Sequence, residues 1–471
     1  MLNVCIIGAG YVGGPTGIVI AAKCPSVKVN IVDTLESKIN AWKSDSLPIY
    51  EPNLRETLDQ VNSTQNNLEF STNIAEKIEA SDIIFLCVNT STKMYGIGKN
   101  MACDFSCLEA CCRSIMQFST TPKIVVEKST VPVLASKHIA YLFSTNENKL
   151  KPKNGLTNHV VLSNPEFLAE GTAIQDLCTP DRILIGGEIQ TAEGKIGVEH
   201  LSLLYQNWVP KEKIIEISTC SSELAKLSAN AFLAQRVSSI NSISAICEKT
   251  NSDVREVARA IGADHRLGNH FLKAGIGFGG SCFPKDILHL IYLARSLNLH
   301  EVADYWEGVI KINDFQNCRF SNLIFKTMFN NLNGKKLTIF GFSFKKDTFD
   351  TRESPAIKFC AKLIGENCSV RIYDPKVSER QMRSDLSQFC SAESIDRTFS
   401  YHDNPNEAVL QSDGIVVTTD WDEFKTLNYE EFFKLMRKPA YIFDGRIILD
   451  HKQLKAIGFK VYSLGISKEI I

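Results

Sequence analysis

The residues best placed to do chemistry surround one cysteine, Cys282, in the run Gly279-Gly280-Ser281-Cys282-Phe283-Pro284-Lys285-Asp286. Two glycines and a serine ahead of the sulfur let a substrate approach the backbone closely, because glycine has no Cβ to collide with. Ser281 reads as a helix N-cap, Pro284 is tolerated in a first helical turn, and Ile287, Leu288, Leu290, Ile291 and Leu293 continue at helical spacing. Cys282 is therefore expected at a helix N-terminus, where unpaired amides and the positive dipole end favour a thiolate. Asp286, one turn further, shares the sulfur's face and is placed to orient water or a cation beside it. A cysteine is by default a small buried hydrophobe; this setting turns the reading towards a nucleophile.

Three further groups carry chemical potential. Lys226 and Asn230 lie one turn apart in Ser221 to Lys249, which has apolar residues at helical spacing and no glycine or proline. A snorkelling lysine is the ordinary explanation, but a lysine and an amide on one face of an otherwise apolar helix suit a cleft. Such a helix spans about 44 Å, enough to link two domains and carry a subunit interface. Glu166 and Glu170 follow Pro165, which would open a helix with both carboxylates on one face and Gly171 as its stop. A solvated acidic face competes with an acid/base role there.

The third group is a glycine loop. Val4 to Ile7 reads as a buried strand leading into Gly8-Ala9-Gly10-Tyr11-Val12-Gly13-Gly14, and a second strand, Val27 to Val32, ends at Asp33. Strand, glycines, helix, strand and acid in this order predict dinucleotide binding: Gly8 for the turn, Gly10 for close approach to the pyrophosphate, Gly13 for packing, and Asp33 for the ribose hydroxyls. An acid at Asp33 repels a 2′-phosphate, so NAD is expected rather than NADP, although Lys38 follows in the next helix.

These residues need elements to hold them. Further strands are expected at Ile83 to Val88, Ile124 to Val126 and Val160 to Leu162, with polar loops after each (89–92, 127–130 and 163–166) as cofactor and substrate contacts. A second α/β unit begins near Lys335, with strands at Lys336 to Phe340, Val370 to Tyr373, Gly414 to Thr419 and Ala440 to Phe443. Its loop, Gly341 to Lys345, is too degenerate for a second NAD site; Lys345 and Arg446 suit a phosphate-bearing ligand. Residues 144–159 and 375–405 read as surface loops or insertions.

With 471 residues the chain exceeds one ordinary core. The predicted fold is α/β, two Rossmann-like doubly wound domains joined by a long central helix, divided as 1–217, 218–330 (linker and dimerisation region) and 331–471. A formal net charge of −1 gives no electrostatic ground for a nucleic acid or an acidic membrane surface as partner. The start lacks a basic region and enters a strand at once, unlike a signal peptide, and no apolar stretch is membrane-length. A cytoplasmic location is expected, with the 15 cysteines reduced. Cys103, Cys107 and Cys111 are spaced for one helical face, but no histidine or CxxC pair completes a metal site, and no metal is expected.

The chain resembles the UDP-glucose 6-dehydrogenases, the animal type especially, within the nucleotide-sugar 6-dehydrogenase family. The resemblance runs nearly end to end: Gly-Ala-Gly-Tyr-Val-Gly-Gly-Pro-Thr at 8–16, Leu-Pro-Ile-Tyr-Glu-Pro at 47–52, Ser-Asn-Pro-Glu-Phe-Leu-Ala-Glu-Gly-Thr-Ala at 163–173, Asn-Ala-Phe-Leu-Ala-Gln-Arg at 230–236, Gly-Phe-Gly-Gly-Ser-Cys-Phe at 277–283 and Phe-Lys-Lys-Asp-Thr at 344–348. It implies two successive NAD-dependent oxidations at C6 of UDP-glucose, through a thiohemiacetal and a thioester on Cys282, giving UDP-glucuronate for polysaccharide synthesis and glucuronidation. By that resemblance Lys226 stabilises oxyanions, Asp286 positions water, Glu166 is the acid/base of thioester hydrolysis, and Asn230 is an oxyanion-side donor. Gly8, Gly10, Tyr11, Val12, Gly13, Asp33, Lys38, Val88, Thr90, Thr92, Ser129, Thr130, Glu170 and Arg352 match cofactor contacts. Glu166, Phe167, Leu168, Lys226, Asn230, Lys273, Phe278, Gly279, Lys345 and Arg446 match substrate contacts, and Arg266 matches an arginine that reaches a neighbouring subunit's substrate. The implied assembly is a homo-oligomer built from dimers, up to a hexamer. Ser91 in place of the family's proline, Lys38 in place of arginine and Ser228 in place of alanine are departures, and none touches the implied catalytic set. A GDP-mannose or UDP-N-acetylhexosamine dehydrogenase would keep the same cysteine and lysine, whereas a non-catalytic sensor of NAD and nucleotide sugars would have no need of them.

Overall fold

Short runs of β-branched and aliphatic residues, buried on both faces, make the strands, because helices cover both sides of a parallel sheet and leave no polar alternation. The computed structural model describes residues 2–145 and 150–466. The chain divides into two compact units, Met1–Ala229 and Asn230–Ile471.

In the first unit β1 (Asn3–Ile7), β2 (Lys28–Val32), β3 (Leu68–Ser71), β4 (Ile83–Leu86), β5 (Ile124–Glu127), β6 (Val160–Ser163), β7 (Ile183–Gly186) and β8 (Ile214–Ile217) form one sheet in the order β3-β2-β1-β4-β5-β6-β7-β8. All its pairings are parallel except β6 with β7, which meet antiparallel at Ser163 and Gly186. The order reverses between β1 and β4, and ligands of open α/β sheets bind at such a point. Trp42 fixes that region from the core: its ring stacks on Phe70 with centroids 5.4 Å apart, and its Nε1 donates to the Ala9 carbonyl at 2.9 Å. Burying such a side chain contributes about 2–3 kcal/mol, and here it also pins the glycine loop.

The second unit holds β9 (Lys336–Phe340), β10 (Ser369–Tyr373), β11 (Phe399–Tyr401), β12 (Gly414–Val417), β13 (Tyr441–Asp444) and β14 (Lys460–Ser463) in the order β11-β10-β9-β12-β13-β14, all parallel. The two-sheet α/β reading is thus correct. A helix over Thr219–Thr250, three residues longer than expected, runs from the first unit into the second. Among the described residues no helix is long and apolar enough to cross a membrane.

Two expectations need correction. Residues 375–405 are not a surface insertion: they form helices Glu379–Leu386 and Ala392–Thr398 and the edge strand β11, because Met382, Leu386, Ile395 and Phe399 are buried against the second core. Cys103 stands outside the helix Ser106–Phe118 that carries Cys107 and Cys111, in an isolated bridge with Thr92, so the three do not share one helical face. Of the stretch 144–159, residues 146–149 lie outside the described residues; Ser144 closes the helix Ala135–Ser144, and 150–159 carry only a Lys153–Leu156 bridge.

Candidate active site

The glycine loop is shaped by what lies against it. A Cβ on Gly8, whose φ is +108°, would stand 2.4 Å from the Cys87 carbonyl oxygen, and one on Gly13 would stand 1.9 Å from the Gly8 carbonyl oxygen. Above Gly10 nothing lies within 4 Å, so the loop offers bare backbone to a ligand at the start of the helix Gly13–Lys23, of which Val12 is the N-cap. Asp33, buried at the end of β2, accepts the Ala9 amide at 3.0 Å, the Leu35 amide at 3.0 Å and the Lys38 ammonium at 2.7 Å. Burial pushes its carboxyl up, but Lys38 and the two amides outweigh that and hold it below the usual carboxylate range. An open glycine turn beside an ionised carboxylate fits the pyrophosphate and ribose of a dinucleotide.

The loops after β4 and β5 join each other beside this turn. The Thr90 hydroxyl donates to the Thr130 carbonyl at 2.7 Å, and the Ser129 hydroxyl donates to the Val88 carbonyl at 2.6 Å. Thr92 stands in the bridge to Cys103. Tyr11 donates its hydroxyl to Glu51.

The expected helix after Pro165 does not form. Residues 164–169 are irregular, and the next helix is Ala173–Cys178. Side-chain carboxylates capture the backbone amides that a helix would need: Glu166 takes Leu168 N at 2.7 Å, Asp176 takes Ala169 N at 2.9 Å, and Glu51 takes Gly171 N at 2.5 Å and Ala173 N at 3.0 Å. Glu166 and Glu170 therefore do not share a helix face. Glu166 instead pairs with Lys226 at 3.1 Å, the two side chains 7% and 3% exposed. Burial acts to raise the Glu166 carboxyl, and Lys226 with the Leu168 amide more than offsets it, holding it below the usual range. The Lys226 ammonium also lies 5.1 Å from the centre of the Phe167 ring, which stacks on Arg182.

In the second unit Cys282 itself, not Ser281, is the N-cap of the helix Phe283–Ser296, with Pro284 in the first turn. The cap moves one residue on because the Cys282 carbonyl accepts the first helical bond, from Asp286 N at 2.9 Å. The expectation that the sulfur stands at a helix start holds, and its Sγ lies 3.5 Å from the Ser281 hydroxyl. Asp286, fully buried one turn on, accepts the Asn230 amide at 2.6 Å and lies 3.7 Å from the Lys285 ammonium. Asn230 and Lys226 are one turn apart on the long helix, as the spacing predicts.

The residues expected to hold a nucleotide sugar fall into two kinds. Arg446 is built in: it donates to the carbonyls of Thr418 at 2.7 Å, Gly277 at 3.1 Å and Phe344 at 3.3 Å, and its backbone turn is shaped by the buried Asp444 carboxylate, which accepts the amides of residues 446–449. Phe278 and Gly279 are buried in the segment before Cys282, and Lys345 lies with its ammonium 5.6 Å from the Phe344 ring centre. The others face outward. Lys273 is exposed, and Arg266, 78% exposed, pairs with Asp264 at 2.5 Å; Arg352, expected among the cofactor contacts, is exposed too and pairs with Asp350 at 2.5 Å. Sequence reasoning quoted Glu51 only as part of a motif and missed its role as the acceptor that shapes the Glu166 loop, because its burial and its distant donors are visible only in the fold. It also missed Glu223, which accepts the Leu134 and Ser136 amides at 2.7 Å each and adds to the burial that pushes Glu127 well above the usual carboxylate range.

Comparison with known proteins gives the family. Residues 2–209 match the NAD binding domain of the UDP-glucose/GDP-mannose dehydrogenase family, 220–315 its central domain, and 338–451 its UDP binding domain. The UDP-glucose 6-dehydrogenase of Gallus gallus is 53% identical across 98% of this chain and 93% of its own length. That of Caenorhabditis elegans is 51% identical across 99% and 96%. A solved UDP-glucose dehydrogenase from Pyrobaculum islandicum, 26% identical, superposes with a TM-score of 0.84 over 99% of this chain and 98% of its own. With all three parts of the family present in order, and relatives about half identical along nearly the whole length, the chain belongs to the UDP-glucose/GDP-mannose dehydrogenase family.

Proposed function

We propose that the protein oxidises UDP-glucose to UDP-glucuronate in two NAD-dependent steps, with Cys282 as covalent nucleophile. The observation that carries this reading is Cys282 at the head of a helix whose next turn buries Asp286, its carboxylate held by Asn230. Relatives that share about half their residues with the chain over nearly its full length are UDP-glucose 6-dehydrogenases, which selects the substrate.

NAD, when bound at the Gly8–Gly13 loop and Asp33, supplies the hydride acceptor. Tyr11, Val12, Lys38, Val88, Thr90, Thr92, Ser129, Thr130, Glu170 and Arg352 complete its contacts in this proposal. The protein's own groups do the rest. The C6 hydroxyl loses a proton and a hydride to become an aldehyde, and Lys226, buried and cationic, stabilises the alkoxide that precedes it. The Cys282 thiolate adds to the aldehyde carbon, forming the C–S bond of a thiohemiacetal; loss of a second hydride leaves a thioester. Asp286 orients a water, Glu166 takes its proton as it attacks, and the C–S bond breaks to give the carboxylate and restore the thiolate. Glu166 suits this task because Lys226 keeps it ionised. Phe167, Leu168, Asn230, Lys273, Phe278, Gly279, Lys345 and Arg446 hold the UDP-sugar, and Arg266 reaches the substrate of a neighbouring subunit.

In the proposed organisation residues 1–217 hold the cofactor, 218–330 link and dimerise, and 331–471 hold the nucleotide. The working form is a homo-oligomer of dimers: Phe232 and Tyr305, 59% and 57% exposed, flank Trp306 in an aromatic strip for a second copy to cover. We place the protein in the cytoplasm, since its cysteines form no disulfide.

The test is stoichiometry over a panel of UDP- and GDP-sugars. UDP-glucose should be the best substrate and yield two NADH and one UDP-glucuronate. A ratio of one with free aldehyde accumulating overturns the covalent scheme, and no NADH from any sugar nucleotide overturns the enzyme.

A further inference from the structure

The segment Ala274–Gly280, which leads into Cys282, is buried yet belongs to no helix or sheet. Buried backbone amides and carbonyls must find partners, and here side chains supply them. Gly275 N donates to the Asn241 Oδ1 at 2.9 Å, and the Gly275 carbonyl accepts Gln316 Nε2 at 2.8 Å. Phe278 N donates to Asn313 Oδ1 at 2.8 Å, while the Phe278 carbonyl accepts Asn313 Nδ2 at 3.1 Å. Asn313 and Gln316 stand one turn apart on the helix His300–Thr327. One amide side chain thus meets both polar groups of a residue as a neighbouring strand would, and the second takes the carbonyl three residues earlier.

The fit is close. A Cβ on Gly277, whose φ is +118°, would lie 2.8 Å from Asn313 Oδ1, so this glycine is required by the amide that grips its neighbour. Gln316 is itself fixed: it is fully buried, and its Oε1 accepts Arg319 at 2.8 Å while Arg319 pairs with Glu248 at 2.9 Å. Gln316 is therefore braced from behind by an ion pair, whereas Asn313 is held by the two bonds it makes to Phe278 itself.

We propose that Asn313 and Gln316 are positioning residues for the reaction, an amide clamp that sets where the Gly275–Gly280 backbone presents the substrate to Cys282. This rests on the reading of that segment as part of the UDP-sugar site. The bonds that Asn313 and Gln316 make to this segment are to its backbone, so the effect is transmitted through that backbone, where a displacement of about 1 Å is enough to cost of order a hundredfold in rate.

The experiment pairs steady-state kinetics with hydrogen exchange on the full chain. Asn313→Ala should raise the KM for UDP-glucose at least about tenfold and lower kcat less, leave the KM for NAD within about twofold, and speed exchange of the 275–280 amides at least about tenfold. Gln316→Met keeps the side chain's length and shape but leaves the Gly275 carbonyl without its donor; it should shift the same quantities in the same direction by about threefold, and serves if the first variant does not fold. A lower melting temperature with unmoved KM, or unmoved exchange in the segment, overturns the clamp. If the unaltered protein does not oxidise UDP-glucose, the function proposed above fails, whereas the exchange measurement still decides whether these amides hold the segment.

Discussion

The two α/β units repeat one plan, and their first loops show how far a shared fold can diverge. In each, the first strand is followed at once by a glycine of positive φ, Gly8 at +108° and Gly341 at +97°, and the second strand by a buried aspartate, Asp33 and Asp374. Asp33 takes one amide from its glycine loop and a lysine, leaving Gly10 facing open space. Asp374 takes the Phe342 amide at 2.6 Å and the Ser343 amide at 3.1 Å with a single oxygen, and Phe342 and Ser343 are fully buried. The second loop has closed over its own acid. The first loop leaves bare glycine backbone open to a ligand, whereas the second, closed over Asp374, leaves none.

The largest expected effect lies outside both loops, at the proposed nucleophile. Cys282→Ser should cut turnover at least about a thousandfold while UDP-glucose and NAD still bind by calorimetry, since serine is a weaker nucleophile and a poorer leaving group. Near-native UDP-glucuronate production would remove the thiol from the scheme. The loops themselves are contrasted by a pair of variants. Gly10→Val fills the open space and should raise the KM for NAD about a hundredfold, equivalent to about 2.7 kcal/mol, with stability unchanged. Gly341→Ala, where a Cβ would stand 2.3 Å from Thr419 Cβ, should instead destabilise the protein by about 2–4 kcal/mol, read as a lower urea midpoint. If the two exchange their phenotypes, the contrast between open and closed loops is wrong.

Smaller changes sharpen it. Asp33→Asn should reduce the preference for NAD over NADP about tenfold in kcat/KM by removing a charge opposed to a 2′-phosphate. Lys38 stays in place in that variant, so an unchanged ratio would show that the lysine and not the acid sets the choice. Acid sensitivity compares the cores. Burial, with Lys123 nearby, lowers His159 of the first unit to about 4, and burial with Lys285 nearby lowers His289 of the second to about 3. As pH falls below 6.5 the unfolded chain takes up these protons and the folded one does not, so each histidine costs about 1.4 kcal/mol of stability per pH unit down to its folded value. Replacing His289 with asparagine should flatten the fall in urea midpoint between pH 6 and 4 by about that slope. An unaltered slope would mean His289 is protonated in the folded state.

The strands and the glycine and cysteine motifs were legible because each rests on local pattern: a buried run, a turn that needs glycine, a helix start. The long helix was legible through its uninterrupted spacing. What stayed hidden depends on contacts made across sequence. Pro165 opens no helix because Glu51 and Asp176, at other positions in the chain, take the amides a first turn needs. Residues 375–405 carry only a few apolar positions among many polar ones, enough to bury once a core is beside them. Asn313 and Gln316 look like ordinary polar helix residues, and nothing local marks their partners, Phe278 and Gly275, as backbone without a strand to pair with.

Glu51 shows what such a contact does to the range of residues a position accepts. Three donors converge on its carboxylate, the amides of Gly171 and Ala173 and the Tyr11 hydroxyl. A carboxylate answers them with two acceptor oxygens; glutamine has one, and would turn an amide group towards a donor. Aspartate is a methylene shorter. The position is therefore confined almost to a single letter, and a one-atom change such as Glu51→Gln, mild by any table of similarity, would unsettle the tyrosine of the cofactor loop and the loop bearing Glu166 together.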